Sequence, residues 1–328
     1  MANILTLLIF TLVSLSSACH KHDHQTLLSI MNSFPPNSFP ATWNSSSDCC
    51  NWDYIQCNAT TGRVDVLQIT DNAGIAGPIP PSISRLSALQ FLILRDLPNV
   101  VGSIPHQLLR LRNLQFLIIS NTSVSGAIPS FLSKFSSNLL AINLNGNKLS
   151  GPIPASLGDL ASLSLLYLSD NQLSGSIPDT LFRKTKVSHI QLDLSDNKLT
   201  GDIPKTFDDR KFITVNLANN QLTGDASVLF GKSKLVSDII LASNKLTFDL
   251  SKVEFPVKSL DRVDISHNEI YGRIPSQIAD VAGLQYLDVS YNRLCGKIPK
   301  KLAQFNSSFF AHNKCLCGAP LPSCKQEM

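Results

Sequence analysis

The sequence predicts an α/β repeat solenoid, a right-handed superhelix with a concave parallel β-sheet and disulfide-stapled caps. Three observations predict this fold class. A glycine-centred phrase recurs every 23 to 26 residues through the middle of the chain, and a fixed period of this length is typical of stacked supersecondary units. Leucine and asparagine are abundant, at 48 and 24 of the 328 residues. The eight cysteines form two groups, one before the repeats and one at their end.

Each repeat carries the pattern L-x-L-x-x-N-x-L-x-G-x-I-P, and its most regular copy runs from Leu192 to Pro204. The alternating leucines predict a short strand whose leucine side chains face inward. Glycine permits the turn that follows, and proline ends the extended stretch and excludes a helix. One coil cannot bury its own apolar face, whereas ten stacked coils can. The pattern is a leucine-rich repeat of the plant type, anchored at Gly77, Gly102, Gly126, Gly151, Gly175, Gly201, Gly224, Phe248, Gly272 and Gly296.

An asparagine occupies one fixed position in most coils. Its side-chain amide offers donors and an acceptor. Buried at a turn, it can satisfy backbone groups of neighbouring coils, so we expect these residues to stack as a ladder. They are Asn147, Asn171, Asn197, Asn220, Asn244, Asn268 and Asn292.

The two ends of the chain differ from the repeats. Residues 1–18 are predicted to be a secretory signal peptide, because a short apolar run is followed by small residues ending at Ala18. The rest of the chain has no run of about 18 apolar residues, so no membrane span is expected. We assign residues 19–62 to an N-terminal cysteine cap with a helix over Asp23 to Ile30, residues 63–296 to ten repeats and residues 297–328 to a C-terminal cysteine cap.

The cysteines are Cys19, Cys49, Cys50, Cys57, Cys295, Cys315, Cys317 and Cys324. Terminal coils would expose apolar edges, so caps are required, and a secreted protein can staple them with disulfides. If the adjacent Cys49 and Cys50 do not pair with each other, nor Cys315 with Cys317, two connectivities stay open in each group. No C-x-x-C pair with zinc spacing occurs, which argues against a metal site.

Composition argues against several function classes. The net charge is +4 and only 7% of residues are aromatic, which disfavours nucleic acid as a partner and leaves cell-wall pectin open as one. An enzyme is also disfavoured, because the chain has no G-x-S-x-G or P-loop phrase. An open strand-lined surface also gives no burial to raise the pKa of a catalytic carboxylate. No cofactor is expected, and we expect a monomer.

Several phrases carry a family resemblance: Cys49-Cys50 with Trp52 and Cys57, VSGAIPSFLS at 124–133, GDASVLFG at 224–231, FDLSKV at 248–253 and CLCGAPLPSC at 315–324. With them, the chain resembles the plant polygalacturonase-inhibiting proteins from Cys19 to Cys324. The resemblance implies the disulfides Cys19–Cys49, Cys50–Cys57, Cys295–Cys315 and Cys317–Cys324. It also implies a secreted defence protein of the plant cell wall that binds and inhibits pathogen endo-polygalacturonases.

The concave strands are where a partner is expected to bind. Their outward positions face solvent, and we count among them the strand-end serines Ser120, Ser169, Ser195, Ser266 and Ser290. In the inhibitor family, acidic and aromatic concave residues engage the enzyme. We therefore predict as partner-binding residues Phe91, Phe116, Ile118, Tyr167, Asp170, Gln191, Asp193, Asp196, Asn216, Asp264, His267 and Asp288.

Two patches stand out among the concave residues. Phe91, Ile93, Phe116 and Ile118 form an apolar patch of a kind that often marks an interface, and five aspartates form an interrupted acidic stripe. The alternatives are packing beneath a glycan or against long neighbouring side chains for the patch, and ordinary solvation for the stripe. The fourth coil departs from the family pattern, with Asn143, Asn145 and Gly146 where many relatives carry aspartate and an aromatic residue.

Four N-x-S/T sequons predict N-glycans on Asn44, Asn58, Asn121 and Asn306. Two further functions stay open beside inhibition. One is an apoplastic scaffold or co-receptor that binds another protein or peptide. The other is ice binding, because the antifreeze protein of carrot belongs to the same family. Ice binding requires a flat, regular array of asparagine or threonine, and the concave Asn143, Asn216 and Asn219 are scattered.

Overall fold

The computed structural model of the protein describes residues 18–135 and 138–324. The predicted signal peptide lies outside this part of the chain, apart from Ala18. A single α-helix is found among the described residues, α1 (Lys21–Met31). Short 3₁₀ helices follow at Cys49–Asn51, Pro81–Arg85, His106–Arg110, Ser130–Lys134, Ala155–Asp159, Lys205–Asp209, Ser227–Leu229, Leu250–Lys252, Ser276–Asp280, Lys300–Gln304 and Ser307–Phe310.

Strands alternate with these helices along the chain. They are β1 (Ile55–Cys57), β2 (Val64–Thr70), β3 (Gly77–Pro78), β4 (Phe91–Gly102), β5 (Phe116–Ala127), β6 (Ala141–Asn143), β7 (Lys148–Gly151), β8 (Leu165–Tyr167), β9 (Gln172–Ser176), β10 (Ile190–Asp193), β11 (Lys198–Asp202), β12 (Phe212–Asn216), β13 (Gln221–Gly224), β14 (Asp238–Ile240), β15 (Lys245–Leu246), β16 (Arg262–Asp264), β17 (Tyr271–Gly272), β18 (Tyr286–Asp288), β19 (Arg293–Lys297) and β20 (Cys315–Cys317).

Ten strands of the described chain form the concave sheet, one from each coil. They pair in parallel in the order β2, β4, β5, β6, β8, β10, β12, β14, β16 and β18. Strand β1 of the N-terminal cap pairs antiparallel with β2 and covers that edge of the sheet. The predicted solenoid with a concave parallel sheet is therefore confirmed.

A second line of strands lies on the side of the coils, after each asparagine. The 12-residue strands β4 and β5 are long enough to take part in both lines. From β5 onward, β7, β9, β11, β13 and β15 pair in succession, and β17, β19 and β20 pair at the C-terminal end. We call this surface the lateral sheet. Most coils then enter a 3₁₀ helix directly after a proline such as Pro154.

The core lies between the concave strands and the 3₁₀ helices. Leu192 and Leu194, the alternating pair of the most regular coil, are both buried. Equivalent leucines and isoleucines of successive coils form one continuous apolar core from Leu27 to Phe310. This continuity explains why a coil that cannot form a core by itself is stable inside the stack.

The asparagine ladder joins each coil to the preceding one. The side-chain nitrogen of Asn197 donates to the carbonyl oxygens of Leu168, Leu194 and Ser195 at 2.9, 3.2 and 2.9 Å. Its side-chain oxygen accepts from the backbone N–H of Leu173 at 2.9 Å. The same bonds recur at Asn220, Asn244, Asn268 and Asn292. The ladder predicted from the sequence is present, and it pairs backbone groups that would otherwise be buried without partners.

A buried ion pair fixes the N-terminal cap to the first coil. Asp23 of α1 is fully buried and accepts from the guanidinium of Arg63 at 2.8 and 3.0 Å and from the backbone N–H of Val64 at 3.0 Å. Each acceptor bond compensates the desolvation of the carboxylate. Helix α1, predicted over Asp23 to Ile30, is thereby held against the edge of the stack.

Four disulfides staple the caps: Cys19–Cys49, Cys50–Cys57, Cys295–Cys315 and Cys317–Cys324. These are the four pairs that the family resemblance implies. The four N-terminal sulfur atoms lie within 4.8 Å of one another, but all are disulfide-bonded, so they offer no thiolate to a metal. The bridge Cys295–Cys315 joins β19 of the last coil to β20, and Cys317–Cys324 joins β20 to the segment that follows it.

Candidate functional site

Two rows of side chains run along the concave sheet, because the parallel register places equivalent residues of neighbouring coils side by side. The first concave row contains Val66, Phe91, Phe116, Ala141, Leu165, Gln191, Thr214, Asp238, Arg262 and Tyr286. The second concave row contains Gln68, Ile93, Ile118, Asn143, Tyr167, Asp193, Asn216, Ile240, Asp264 and Asp288.

A third line, which we call the turn row, follows the ends of the concave strands. Each member has a left-handed backbone with φ between 52° and 64°. The members are Asp71, Asp96, Asn121, Gly146, Asp170, Asp196, Asn219, Ser243, His267, Tyr291 and His312. Aspartate and asparagine tolerate this conformation better than most residues, which explains why they hold six of these positions.

The apolar half of the face lies on the first five coils and consists of Val66, Phe91, Ile93, Phe116, Ile118 and Leu165. The rings of Phe91 and Phe116 are stacked, with centroids 4.7 Å apart and planes 10° from parallel. These side chains are half-buried, so part of each one is accessible to solvent. Ala141 between them is small and buried, so it does not interrupt the surface. The arrangement offers a partner a continuous apolar contact.

The acidic half lies on the last six coils and consists of Asp170, Asp193, Asp196, Asp238, Asp264 and Asp288. One oxygen of Asp193 accepts from the backbone N–H and the hydroxyl of Ser195 at 3.0 and 2.7 Å. Asp264 is held in the same way by Ser266 at 3.2 and 2.7 Å. These bonds fix the carboxylates of Asp193 and Asp264 on the sheet, so this part of the face carries a preorganised charge pattern.

Carboxylates lie close enough near the middle of the face to influence each other's ionisation. Partial desolvation, followed by the charges of Asp196 and Asp193, raises the pKa of Asp170. Desolvation and the charge of Asp193 also raise the pKa of Tyr167, whose hydroxyl donates to Gln191 at 2.5 Å. Like charges disfavour each other's ionised form, so this cluster is suited to receiving a cation.

All twelve predicted partner-binding residues lie on this one face. Phe91, Phe116 and Gln191 are in the first concave row, and Asp170, Asp196 and His267 are in the turn row. The second concave row holds Ile118, Tyr167, Asp193, Asn216, Asp264 and Asp288. That they bind a partner stays a prediction.

One expectation about the concave positions is wrong. The strand-end serines Ser120, Ser169, Ser195, Ser266 and Ser290 do not face solvent, because they are between 2% and 6% exposed. The strand ends just before them and the left-handed turn begins, so strand alternation no longer sets the side-chain direction. Ser195 and Ser266 instead donate to the carboxylates of the second concave row.

Known proteins resemble this chain over its cap and repeats. The leucine rich repeat N-terminal domain matches residues 20–58, and the leucine rich repeat matches residues 138–160, 162–183, 190–209 and 283–305. A polygalacturonase inhibitor of Vitis vinifera is 42% identical over 86 residues, which are 26% of each chain. Polygalacturonase inhibitor 2 of Arabidopsis thaliana is 44% identical over 98 residues, which are 29% of each chain. The matched segments thus span less than a third of these relatives.

A solved structure extends the likeness to the whole fold. The crystal structure of a plant ice-binding protein is 40% identical, covers 95% of this chain and 100% of that chain, and superimposes with a TM-score of 0.91. The chain belongs to the polygalacturonase-inhibitor-like family of plant leucine-rich-repeat proteins. A more distant family likeness is to the plant peptide hormone receptor RGFR1 in complex with RGF2, 29% identical with a TM-score of 0.66 over 76% of this chain and 40% of that chain.

Sequence reasoning missed part of the concave face. Asp238 and Ile240 of the eighth coil lie in the first and second concave rows. The signal was present, because Ile239 and Leu241 alternate with them and are buried. The eighth coil was obscured by its irregular anchor, where Phe248 replaces the glycine. Val66 and Leu165 were missed because they are apolar and resemble core positions.

The four sequons lie in different surroundings. Asn58 and Asn306 accept backbone bonds at 3.1 and 2.9 Å through the side-chain oxygen. Asn44 also donates from its amide nitrogen to Ala41 and Thr42. Asn121 is in the turn row and donates to Asp96 at 2.7 Å. A glycan there would occupy the concave face beside the apolar half, whereas the other three sequons lie in the caps. Glycosylation of all four stays a prediction.

Among residues 18–135 and 138–324, none of the helices is both long and apolar enough to cross a lipid bilayer.

Proposed function

We propose that this protein is secreted to the plant cell wall, where it binds pathogen endo-polygalacturonases through its concave face and inhibits them by covering the cleft. It acts by binding alone, with no catalytic step and no cofactor. Membership of the inhibitor-like family supports the class of partner. The observation that carries the proposal is the concave face itself. All twelve predicted residues lie on it, and it combines an apolar half with a preorganised acidic half.

The chemistry of the target supports this assignment. Polygalacturonate is a polyanion, so an enzyme that holds it requires cationic side chains along its cleft. Carboxylates fixed by serine hydrogen bonds complement such a cleft and accelerate the encounter. The apolar half then supplies the desolvated contact in which most of the binding free energy is usually concentrated.

The test is a binding and inhibition assay of the mature protein against a panel of fungal, bacterial and insect polygalacturonases. For an enzyme that binds, Asp193→Lys and Phe116→Asp should each weaken affinity by about tenfold or more, because each places an unfavourable group at the centre of the interface. Phe116 faces outward, so Phe116→Asp should change the free energy of unfolding little. Asp193→Lys also removes the acceptor for the N–H and hydroxyl of the buried Ser195, so it should lower that free energy by about 1 kcal/mol, and the affinities are compared at a temperature at which both variants are folded.

The matched control is Lys232→Ala. Lys232 is exposed, outside the concave strands, and pairs only with the exposed Glu254 at 3.1 Å, a contact that contributes little to stability. Equal loss of affinity in this variant and in Asp193→Lys would assign binding to another face. Absence of binding across the panel at micromolar concentration would reject inhibition and leave a scaffold or co-receptor for another protein or peptide.

Ice binding is a second candidate, favoured by the 40% identity to a plant ice-binding protein over the whole of that chain. The concave rows are too irregular for it. The lateral sheet, in contrast, carries one hydroxyl residue immediately before the anchor position in six successive coils: Ser125, Ser150, Ser174, Thr200, Thr223 and Thr247.

An ice-recrystallisation assay separates the two candidates. Ice binding by the lateral sheet predicts that the unmodified protein slows recrystallisation, that Thr200→Lys weakens the effect and that Asp193→Lys does not. No effect of the unmodified protein at micromolar concentration would remove ice binding as a function.

A further inference from the structure

Three rings form a column at the C-terminal end of the turn row. The ring centroids of His267 and Tyr291 are 4.1 Å apart, those of Tyr291 and His312 are also 4.1 Å apart, and both pairs lie 17° from parallel. Tyr291 is 46% exposed, and both histidines are exposed. The column therefore presents stacked aromatic rings to solvent rather than to the core.

The backbone of the column is strained at Tyr291, and a better-tolerated residue occupies the equivalent turn of other coils. A bulky residue with positive φ is unusual, and Tyr291 has φ of 52°. A backbone hydrogen bond between coils holds this turn, because the N–H of Tyr291 donates to the carbonyl of Ala311 at 3.0 Å. Asn121 and Asn219 hold the equivalent turn in other coils. Strain kept at an exposed position is a reason to look for a function there.

The column ends at an open position. The next member of the turn row toward the N-terminus is Ser243, which is half-buried and carries no ring. The N–H of Ser243 donates to the carbonyl of Ser266 at 3.0 Å, and that of His267 to Ser290 at 3.0 Å. The two turns are therefore one coil apart, and a planar group above Ser243 would continue the stack on the outer face of His267.

Each of the two coils that flank this open position carries a carboxylate on its concave strand. Asp264 is in the same coil as His267, and Asp238 is in the same coil as Ser243 and pairs in register with Arg262. The same end of the face already shows an arginine on an aromatic ring, because the guanidinium carbon of Arg262 lies 4.5 Å from the ring centroid of Tyr286. Its chemistry thus favours a flat cation.

A guanidinium fits this description better than an ammonium. It is planar, weakly hydrated, stacks on aromatic faces and pairs with carboxylates through two parallel hydrogen bonds, whereas lysine presents a compact, strongly hydrated charge. We propose that the outer face of His267, above Ser243 and beside Asp264, is an arginine-binding site for the protein partner of the concave face. The identity of that partner as a polygalacturonase rests on the proposed function.

The first test uses hexa-arginine and hexa-lysine peptides at about pH 8, above the range in which histidine normally titrates. The acidic half attracts both peptides, but stacking should make hexa-arginine bind about two- to fivefold more tightly, the ratio that an exposed cation–π contact supplies. Two variants should abolish the preference: His267→Asn removes the ring, and Ser243→His fills the open position with one.

Folding and position are controlled in the same series. Asparagine and histidine both tolerate the left-handed turn, so His267→Asn and Ser243→His should unfold at about the temperature of the unmodified protein. Asp71→His places the same ring in the turn row at the far end of the face, and it should leave the preference unchanged. The proposed site would be overturned if the two peptides bound with equal affinity or if neither bound. It would also be overturned if both His267→Asn and Ser243→His kept the preference for hexa-arginine.

These measurements contain no polygalacturonase, so they fail or succeed independently of the proposed function. If the arginine preference holds and no polygalacturonase binds, the site stands and its partner is another protein. For a polygalacturonase that does bind, Ser243→His should weaken binding several-fold more than Asp71→His. Equal effects of the two variants would show that this enzyme does not place an arginine there.

Discussion

The apolar half and the acidic half of the concave face are built on the same backbone and carry opposite chemistry. Phe91 and Phe116 stack at equivalent positions of two coils, and the same row later holds Asp238 and Arg262. The inward leucines recur in both halves, and the ladder asparagines recur from the fourth coil onward, whereas Leu97 and Thr122 hold the equivalent position in the second and third coils. The comparison shows that the repeat separates two tasks, because buried positions determine the fold and outward positions are free to determine what is bound.

The largest expected effect tests whether the two halves share one scaffold. Asn147→Ala in the apolar half and Asn268→Ala in the acidic half should each lower the free energy of unfolding by about 2 kcal/mol or more, because each leaves buried backbone groups unpaired. Asn147 donates to Ile119 and Leu144 at 2.7 and 2.9 Å, and Asn268 donates to Leu241 and Ser266 at 3.0 Å.

Denaturant unfolding followed by circular dichroism measures both variants. Exchange of Gln172 for alanine, at an exposed position of β9, is the control and should change stability by less than about 0.5 kcal/mol. A large loss of unfolding free energy in one ladder variant with no loss in the other would show that the two halves are stabilised differently.

The second effect should separate the halves by kinetics. For a bound polygalacturonase, Asp193→Lys should lower the association rate and reduce its dependence on salt, because exposed charges steer the encounter and are screened beyond about 8–10 Å. Phe116→Asp should act mainly on dissociation, since it removes a desolvated contact. Surface plasmon resonance at several salt concentrations distinguishes the two, and the same salt slope in both variants would contradict the division.

A smaller effect concerns pH and the acidic half alone. Because the folded-state pKa of Asp170 is raised by desolvation and by Asp196 and Asp193, ionisation is less favourable in the fold than in the unfolded chain. The associated stability is present below the unfolded pKa and is lost as pH rises through the folded pKa. Asp170→Asn should therefore be slightly more stable than the unmodified protein at neutral pH, with the difference vanishing in acid.

Thermal unfolding between acid and neutral pH checks this prediction. Asp71→Asn is the matched control, because it makes the same change in the turn row at the other end of the face. A pH-dependent gain of the same size in Asp71→Asn would assign the effect to the turn itself rather than to the crowding of three carboxylates.

Whether the place of a side chain could be predicted from the sequence depends on the kind of position it occupies. The ladder position of Asn197 and the inward side chains of Leu192 and Leu194 were predictable, because a 24-residue period repeats the same constraint in each coil. Ser195 was assigned to the wrong side, since where a strand ends and a turn begins depends on backbone dihedrals that the repeat pattern does not reveal.

The chemistry of the site was only partly predictable. The acidic stripe followed from alternation, but the ring column did not, because Tyr291 and His267 are 24 residues apart and His312 lies beyond the last repeat. Their stacking depends on the left-handed turn that all three share. A sequence pattern contains each ring separately, whereas the register between neighbouring coils brings the three rings together.

The confinement of the disulfides to the caps has a mechanical consequence. Each bridge closes a short loop at one end of the chain, with sequence separations of 30, 7, 20 and 7 residues, and the chain from 58 to 294 contains no cysteine. Under tension applied to its two ends, the molecule should lengthen through the middle coils, which are joined in series by hydrogen bonds and packing. The disulfide-bonded caps would keep their length, so the protein would extend through its middle coils while both ends stay compact.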